Sequence, residues 1–218
     1  MTNDRRTGPT SAWGAERMTT TTPPVGLRNG IAIEDPLHVV LGFLEAWRFE
    51  VGDPSASLGE SDLRLANRGG ARISATEIAA ILERRGAIER ALQAIVPEAS
   101  LTGAANALPW VSLRLLFEAF ADIRGIGFSK MTKTLHPKRP ALIPMLDSVV
   151  QRYLRDDDLG AEAPFAERGL GFVHGYKRDL DHNRAAVRAL RQELARRGYG
   201  LTDVRLFDLL IWSTAVAV

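Results

Sequence analysis

The sequence predicts an all-α fold, and two observations support that prediction. Apolar residues recur at helical spacing in several segments, and capping residues, prolines or glycines mark where these segments begin and end. Runs in which apolar and polar residues strictly alternate, which would indicate strands, are lacking. We therefore expect helices throughout and predict no β-hairpin.

Composition places the chain among globular proteins that bury a core. Of its 218 residues, 45% are hydrophobic and 25% are charged. No apolar run is long enough to span a membrane, and no apolar stretch of a secretory signal follows the N-terminal arginines. The absence of cysteine excludes disulfides and thiolate-ligated metals, and the four histidines show no ligand spacing. We expect a cytoplasmic protein without a metal, a cofactor or a membrane association.

Two regions are predicted, a disordered tail at residues 1–30 and a single helical domain at residues 31–218. The tail is polar, contains a threonine tract followed by two prolines at 19–24, and offers little to bury. Met18 is an alternative start of the chain. No repeat and no clear linker divides the remaining residues.

Local signals predict four helices in the first half of the domain. Their expected starts are Asp35-Pro36, Ser74, Ala87 and Pro109. The first helix is expected to run to Gly52, and the segment 55–70 is predicted to be a loop. The helix that begins at Pro109 has Val111 and Leu115 on its apolar stripe.

Three further helices are predicted in the second half, after the hairpin described below. A short one follows Asp147, an amphipathic one covers 183–197, and Thr202 caps the last. Gly198 ends the amphipathic helix, and the segment 156–171 is predicted to be a polar loop.

Positive charge is concentrated in two stretches, although the net formal charge is only +2. Between Ile123 and Arg152 six cations accompany one anion, and between Lys177 and Arg205 eight cations accompany four anions. A face built from both stretches would attract a phosphate backbone. The alternative is that arginines simply accumulate on the surface of an arginine-rich chain.

The most informative segment contains the tight turn Gly125-Ile126-Gly127 between two helices, and we predict a helix-hairpin-helix element at about residues 112–136. Glycines let the backbone approach another molecule closely, and the N–H groups that start the second helix would face a phosphate. A plain turn is the alternative. The residues predicted to contact a DNA backbone are Gly125, Ile126, Gly127, Ser129, Lys130, Lys133, Lys138 and Arg139.

This segment resembles the helix-hairpin-helix signature of base-excision DNA glycosylases, which reads Leu-Pro-Gly-Val-Gly and continues into a helix. In that superfamily an aspartate at the head of another helix follows the second glycine, and Asp147 stands 20 residues after Gly127, a spacing that matches. The segment from Lys138 to Ser148 also looks similar to a family of uncharacterised bacterial proteins. The resemblance implies a glycosylase-like helical fold with double-stranded DNA as its partner.

Two departures from the signature limit the chemistry that the resemblance implies. Ser129 stands where bifunctional glycosylases carry a nucleophilic lysine, and Arg124 replaces the usual proline. The implied activity is therefore monofunctional base release, in which Asp147 would stabilise positive charge on the sugar and activate water. Trp47 and Trp110 are loose candidates for stacking on a flipped base.

Other interpretations of the same residues stay open. Asp147 can simply cap the helix that begins at Ser148. The whole protein can be a DNA-binding module that keeps the fold without the chemistry, or a helical interaction protein that binds no DNA.

Overall fold

The computed structural model describes residues 22–46 and 52–216, and this part of the chain is predominantly helical, as predicted. It contains a two-stranded antiparallel sheet and ten α-helices, none of which is long and apolar enough to cross a membrane. The strands are β1 (Val25–Gly26) and β2 (Ala32–Ile33), and the helices are α1 (Pro36–Ala46), α2 (Glu60–Arg68), α3 (Ala75–Glu83), α4 (Arg85–Gln93), α5 (Trp110–Glu118), α6 (Phe128–Leu135), α7 (Ser148–Tyr153), α8 (Phe165–His182), α9 (Arg184–Arg196) and α10 (Asp203–Val216).

Helix starts that rest on local capping chemistry are confirmed. Ser74 Oγ accepts a hydrogen bond from the amide of Glu77, and the Glu77 carboxylate accepts one from the amide of Ser74, which completes the predicted capping box. Asp35 accepts a 3.0 Å bond from the amide of His38 ahead of α1, and Thr202 caps α10 in the same way. The predicted positions Met18 and Trp47 lie outside the described residues.

Residues 22–30, which the sequence analysis assigns to a tail, belong instead to the folded body. Val25 pairs with Ile33 across β1 and β2, and the Asn29-Gly30 pair lies in the connection between the strands. Gly30 has φ +71°, a backbone conformation that an Asn-Gly pair adopts easily. The prediction was wrong here because this turn signal stands within a polar stretch.

Arg28 connects the β-hairpin formed by β1 and β2 to the helical part of the protein. Its guanidinium lies 2.6 Å from Asp157 Oδ2 and 2.5 Å from Asp179 Oδ2, and it stacks over the ring of Tyr153. The two carboxylates hold the pKa of Arg28 above its usual value, against the effect of burial. These ion pairs connect the turn between β1 and β2 to the segment before α8 and to α8 itself, and the side chains of Arg28 and Asp157 are largely buried.

Helix α8 occupies part of the predicted loop 156–171 and carries three glycines that normally disfavour a helix. These glycines are positions of close packing. A Cβ atom at Gly169 would lie 2.7 Å from the side chain of Phe117, and one at Gly171 would lie 2.6 Å from the carbonyl oxygen of Asp157. The glycines therefore allow α5 and the segment after α7 to approach the α8 backbone.

Helix α2 likewise lies inside the predicted loop 55–70. Its N-cap is Gly59, whose amide donates a 2.8 Å hydrogen bond to the carboxylate of Asp62, and Leu63 is fully buried on its inner face. On α5 the helix itself was predicted, but the predicted apolar stripe is not buried. Val111 and Leu115, predicted to lie on an apolar stripe, are 69% and 48% exposed.

The core is built where the helices cross, and one aromatic side chain sets the position of α6. Helix α5 packs on α4 and α8, α10 packs on α1, α7 and α9, and α2 packs on α6. Phe128, the first residue of α6, stacks on Phe165 with a centroid distance of 4.4 Å and contacts Phe172 edge-on at 5.4 Å. The start of α6 is thereby fixed against α8.

A buried acid joins α8 to α10. The hydroxyl of Tyr176 lies 2.6 Å from the carbonyl oxygen of Val204 and 3.0 Å from Asp208 Oδ1. One hydroxyl hydrogen serves only one of these acceptors, so a protonated Asp208 completes the pair by donating to the Tyr176 oxygen. Burial raises the pKa of Asp208 to about 7, although the nearby Arg205 guanidinium opposes the rise.

We predict that Asp208→Asn removes a pH dependence of stability. Because the pKa of Asp208 is raised in the folded state, its protonated form stabilises the fold at low pH, and that contribution disappears as the pH rises through about 7. From pH 4 to pH 8 the free energy of unfolding of the variant should therefore gain on that of the wild type, by up to about 4 kcal/mol. Urea unfolding at several pH values measures the difference.

The comparison isolates Asp208 because both proteins keep His136. Burial lowers the pKa of His136 to about 4, so the stability contributed by its neutral form is lost as the pH falls from about 6.5 to 4. This opposite slope cancels when the two curves are subtracted. Parallel curves would show that Asp208 does not titrate in this range.

Candidate nucleic-acid interface

The turn Gly125-Ile126-Gly127 lies between α5, which ends at Glu118, and α6, which begins at Phe128. Gly125 is exposed with φ +85°, while Ile126 is 5% exposed and anchors the turn in the core. Gly127 occupies the N-cap position of α6 and supplies no side chain to cap it. A Cβ atom at Gly127 would meet nothing within 4 Å, so the space in front of the first turn of α6 is open.

Helix α6 also positions the segment that carries Asp147. Thr132 is fully buried, donates a 2.8 Å hydrogen bond to the carbonyl oxygen of Phe128 and accepts a 2.9 Å bond from the amide of Leu146. His136 Nδ1 donates a 2.7 Å bond to the carbonyl oxygen of Ile143. These bonds hold the segment 143–146 against α6 and the residue that follows it. Asp147 therefore lies beside α6.

Lys130, predicted to contact DNA, already has an anionic partner within the protein. Its Nζ lies 2.7 Å and 2.8 Å from the two carboxylate oxygens of Glu77, and this pairing holds the pKa of Glu77 below its usual value. The same carboxylate lies against Gly125, where any Cβ atom would overlap it. Glu77 therefore compensates the charge of Lys130 next to the turn.

Lys133 lies one turn further along α6 among three other charged groups. Its Nζ donates a 3.3 Å hydrogen bond to the carbonyl oxygen of Gly70, and its pKa is lowered by burial despite the attraction of Asp147. The positive charges of Arg205 and Arg72 also lower the pKa of Lys133. Arg72 is exposed on the loop between α2 and α3, where it adopts φ +58°.

Lys138 and Arg139, also predicted to contact DNA, do not lie on the surface. Lys138 is fully buried with Nζ 2.7 Å from Asp62 Oδ1, and Arg139 is 2% exposed. Arg139 donates hydrogen bonds to four backbone carbonyl groups, among them those of Leu92 and Ile95 at the end of α4. Both cations are used inside the fold, so neither is accessible to a phosphate in this conformation.

Asp147 caps α7, which is the alternative to a catalytic role for this residue. Its Oδ1 atom accepts hydrogen bonds of 3.0 Å and 3.1 Å from the amides of Val149 and Val150, and the residue is 5% exposed. A flipped nucleotide would reach this carboxylate only after the side chains around it moved. Trp110, the loose candidate for base stacking, donates through Nε1 to the carbonyl oxygen of Ala105 and stacks on His174.

Two exposed arginines lie near α6, one just before its start and one beside its last turn. Arg124 precedes the turn, is exposed and pairs with no carboxylate in the part of the chain that the structure describes, and Arg72 lies beside Lys133. The sequence indicates Arg124 as part of a basic stretch and as a departure from the glycosylase signature. It does not single out Arg72, whose proximity depends on the packing of α2 on α6. We define the hairpin surface as the turn 125–127 with Arg72, Arg124, Ser129 and Lys133.

Comparison with known proteins gives one assignment. No curated protein and no solved structure significantly matches the chain, so membership of the glycosylase superfamily that the hairpin resembles has no support from them. The sequence profile described as "Family of unknown function (DUF6308)" matches residues 69–215, which include the hairpin and Asp147. The similarity to a family of unknown function is thus confirmed, and the chain belongs to the DUF6308 family.

Proposed function

We propose that this protein binds the phosphate backbone of duplex DNA through the start of α6. The observation that carries the proposal is the open, uncapped N-terminus of α6 at Gly127. The first amides of a helix have no partner within it and the helix dipole is positive at this end, so an anion is stabilised there. A phosphate oxygen has the charge and the acceptor capacity that these amides require.

The charges of the hairpin surface favour the same ligand. Arg124 and Arg72 are exposed, and Lys133 adds a third cation on the side of α6 that faces Arg72. The groups at this surface are backbone amides and long cationic side chains, so we expect contacts with phosphates rather than with bases. We therefore expect binding that is independent of sequence and weakens steeply with salt.

Glu77 limits the affinity of this surface. Because it neutralises Lys130 beside the turn, the positive field at the start of α6 is smaller than the number of cations suggests. The protein should accordingly bind DNA at low salt and release it at moderate ionic strength.

Base release is not part of this proposal, because Asp147 is buried and its capping bonds account for its position. A glycosylase would need this carboxylate next to the sugar of a flipped nucleotide. The geometry therefore supports the non-catalytic alternative of the helix-hairpin-helix interpretation.

We predict that Gly127→Asp weakens duplex binding without weakening the fold. Gly127 has φ −101°, which any residue adopts, and aspartate is a favoured N-cap. Its carboxylate would occupy the first-turn amides and repel a phosphate, so affinity should fall roughly tenfold. Fluorescence anisotropy with a labelled duplex at low salt measures the affinity, and urea unfolding measures stability.

Gly59→Asp is the matched control, because Gly59 is the N-cap of α2, also lacks a capping side chain and has room for a Cβ atom. It adds the same charge at a different helix. Equal loss of affinity in both variants would mean that net charge alone governs binding. Absence of any binding by the wild type at low salt would support the helical interaction protein without DNA.

Glu77→Gln should strengthen DNA binding. Glutamine keeps the capping box with Ser74, and it leaves Lys130 without its counter-charge. Lys130 then becomes available for one more phosphate, so the plot of log affinity against log salt should steepen by about 0.9. Titrations at four salt concentrations give this slope.

The control for Glu77→Gln is Glu89→Gln, which removes the same charge from an ion pair with Arg85 on α4. An unchanged affinity and salt slope for Glu77→Gln would show that the surface around α6 does not contact the backbone. A rise of equal size in both variants would point to overall charge instead.

A further inference from the structure

A concave site lies between helices outside the hairpin surface and shares no residue with it. It is a cavity of about 320 Å³ between α9, the segment before α10 and the loop that follows α4. Its polar lining comprises three arginines of α9, three hydroxyl side chains and one carboxylate: Arg184, Arg188, Arg191, Ser100, Thr102, Thr202 and Asp203. The volume falls in the range of small-molecule sites.

The geometry of α9 explains why the three arginines converge. They are separated by four and three residues, a spacing that places them on one side of a helix with 3.6 residues per turn. The adjoining side of α9 is apolar and buried, since Val187 and Leu190 are at most 1% exposed. The arginines are thereby directed towards the cavity rim.

The arginines are unequally neutralised. Arg184 lies 2.6 Å from Asp181 Oδ1, and Arg191 lies 3.0 Å from Asp203 Oδ1. Arg188 lies between them and has no carboxylate at ion-pair distance among residues 22–46 and 52–216. The Arg191 pair is poorly aligned, because Asp203 Oδ1 is buried and receives no hydrogen bond. N–H groups of Arg188 and Arg191 are therefore available as hydrogen-bond donors to an external anion.

The hydroxyl groups add one donor to this set. Ser100 Oγ and Thr102 Oγ1 lie 2.9 Å apart, so one of the two donates to the other and the second hydrogen remains for the cavity. Thr202 is already committed, since it donates to the carbonyl oxygen of Pro140 and caps α10. Thr202 therefore lines the cavity without offering its hydroxyl hydrogen to a ligand.

We propose that this cavity binds a small phosphorylated ligand, with a phosphate group held by Arg188 between Arg184 and Arg191. Planar guanidinium groups form paired hydrogen bonds with phosphate oxygens, and the free hydroxyl of the Ser100–Thr102 pair supplies a further donor. A DNA backbone offers the same chemistry, but a concave site of this size encloses a small molecule better than a phosphate of a wide duplex. The proposal is independent of DNA binding at the hairpin.

Isothermal titration of the full chain with inorganic pyrophosphate tests the proposal. We expect saturable binding with one site, and binding by Arg188→Gln that is roughly tenfold weaker. Since Arg188 makes no ion pair, this variant should fold as the wild type does. Arg196→Gln is the matched control, because Arg196 lies on the same helix, pairs with Glu193 and does not line the cavity. It should bind pyrophosphate normally.

Three results would overturn the proposal. One is the absence of heat for the wild type at millimolar pyrophosphate, and another is an equal loss in Arg188→Gln and Arg196→Gln. The third concerns duplex DNA. If Arg188→Gln weakens duplex binding while pyrophosphate neither binds nor competes, the cavity belongs to a DNA surface. Gly127→Asp, which leaves the cavity unchanged, should retain pyrophosphate binding whether or not it affects DNA.

Discussion

A buried guanidinium holds together the part of the protein that carries the hairpin. Arg139 is 2% exposed, and it donates to the carbonyl group of Ile95, just after α4, and to that of Leu92, which also accepts the amide of Ile95. A cation at a helix C-terminus is favoured by the helix dipole, and here it also reaches the carbonyl oxygen of Pro54. Removing this side chain would take the guanidinium donors from the buried carbonyl groups of Ile95 and Lys138, at a cost of several kcal/mol.

The neighbouring Lys138–Asp62 ion pair extends the same anchor from α4 to α2. Together the two cations fix the chain directly after α6, while Phe128 fixes the start of α6 on α8. The hairpin is thus held at both ends of its second helix. A rigid helix start suits contact with a phosphate, because the amides are already oriented and little entropy is lost on binding.

Local chemistry explains which parts of the fold could be predicted from the sequence. The caps at Ser74 and Thr202 depend on neighbours within three residues, and they were predicted correctly. Helix α8 was missed because the reason for its glycines, such as Gly169 against Phe117, lies more than 50 residues away. The Asn29-Gly30 turn offered a local signal for the N-terminal hairpin, but the polar residues around it favoured a tail.

The candidate site shows the same division between local and long-range information. The turn at Gly125 and Gly127 and the cap at Asp147 can be read from neighbouring residues in the sequence. The burial of Arg139 cannot, because its carbonyl partners at Leu92 and Ile95 stand 47 and 44 residues earlier. The capping bond between Ser74 and Glu77 is local, whereas the pairing of Glu77 with Lys130 depends on how α3 meets α6. A basic stretch therefore predicts charge, while only the fold shows which charges face solvent.

Amide chemical shifts during titration with a short duplex of arbitrary sequence would test the central claim most directly. Our account predicts that at low salt the backbone amides of Phe128, Ser129 and Lys130 shift first and most, that a second duplex of different sequence gives the same pattern, and that added salt reverses it. Shifts concentrated elsewhere, or none around Gly127, would contradict the assignment of the α6 start as the DNA-binding element.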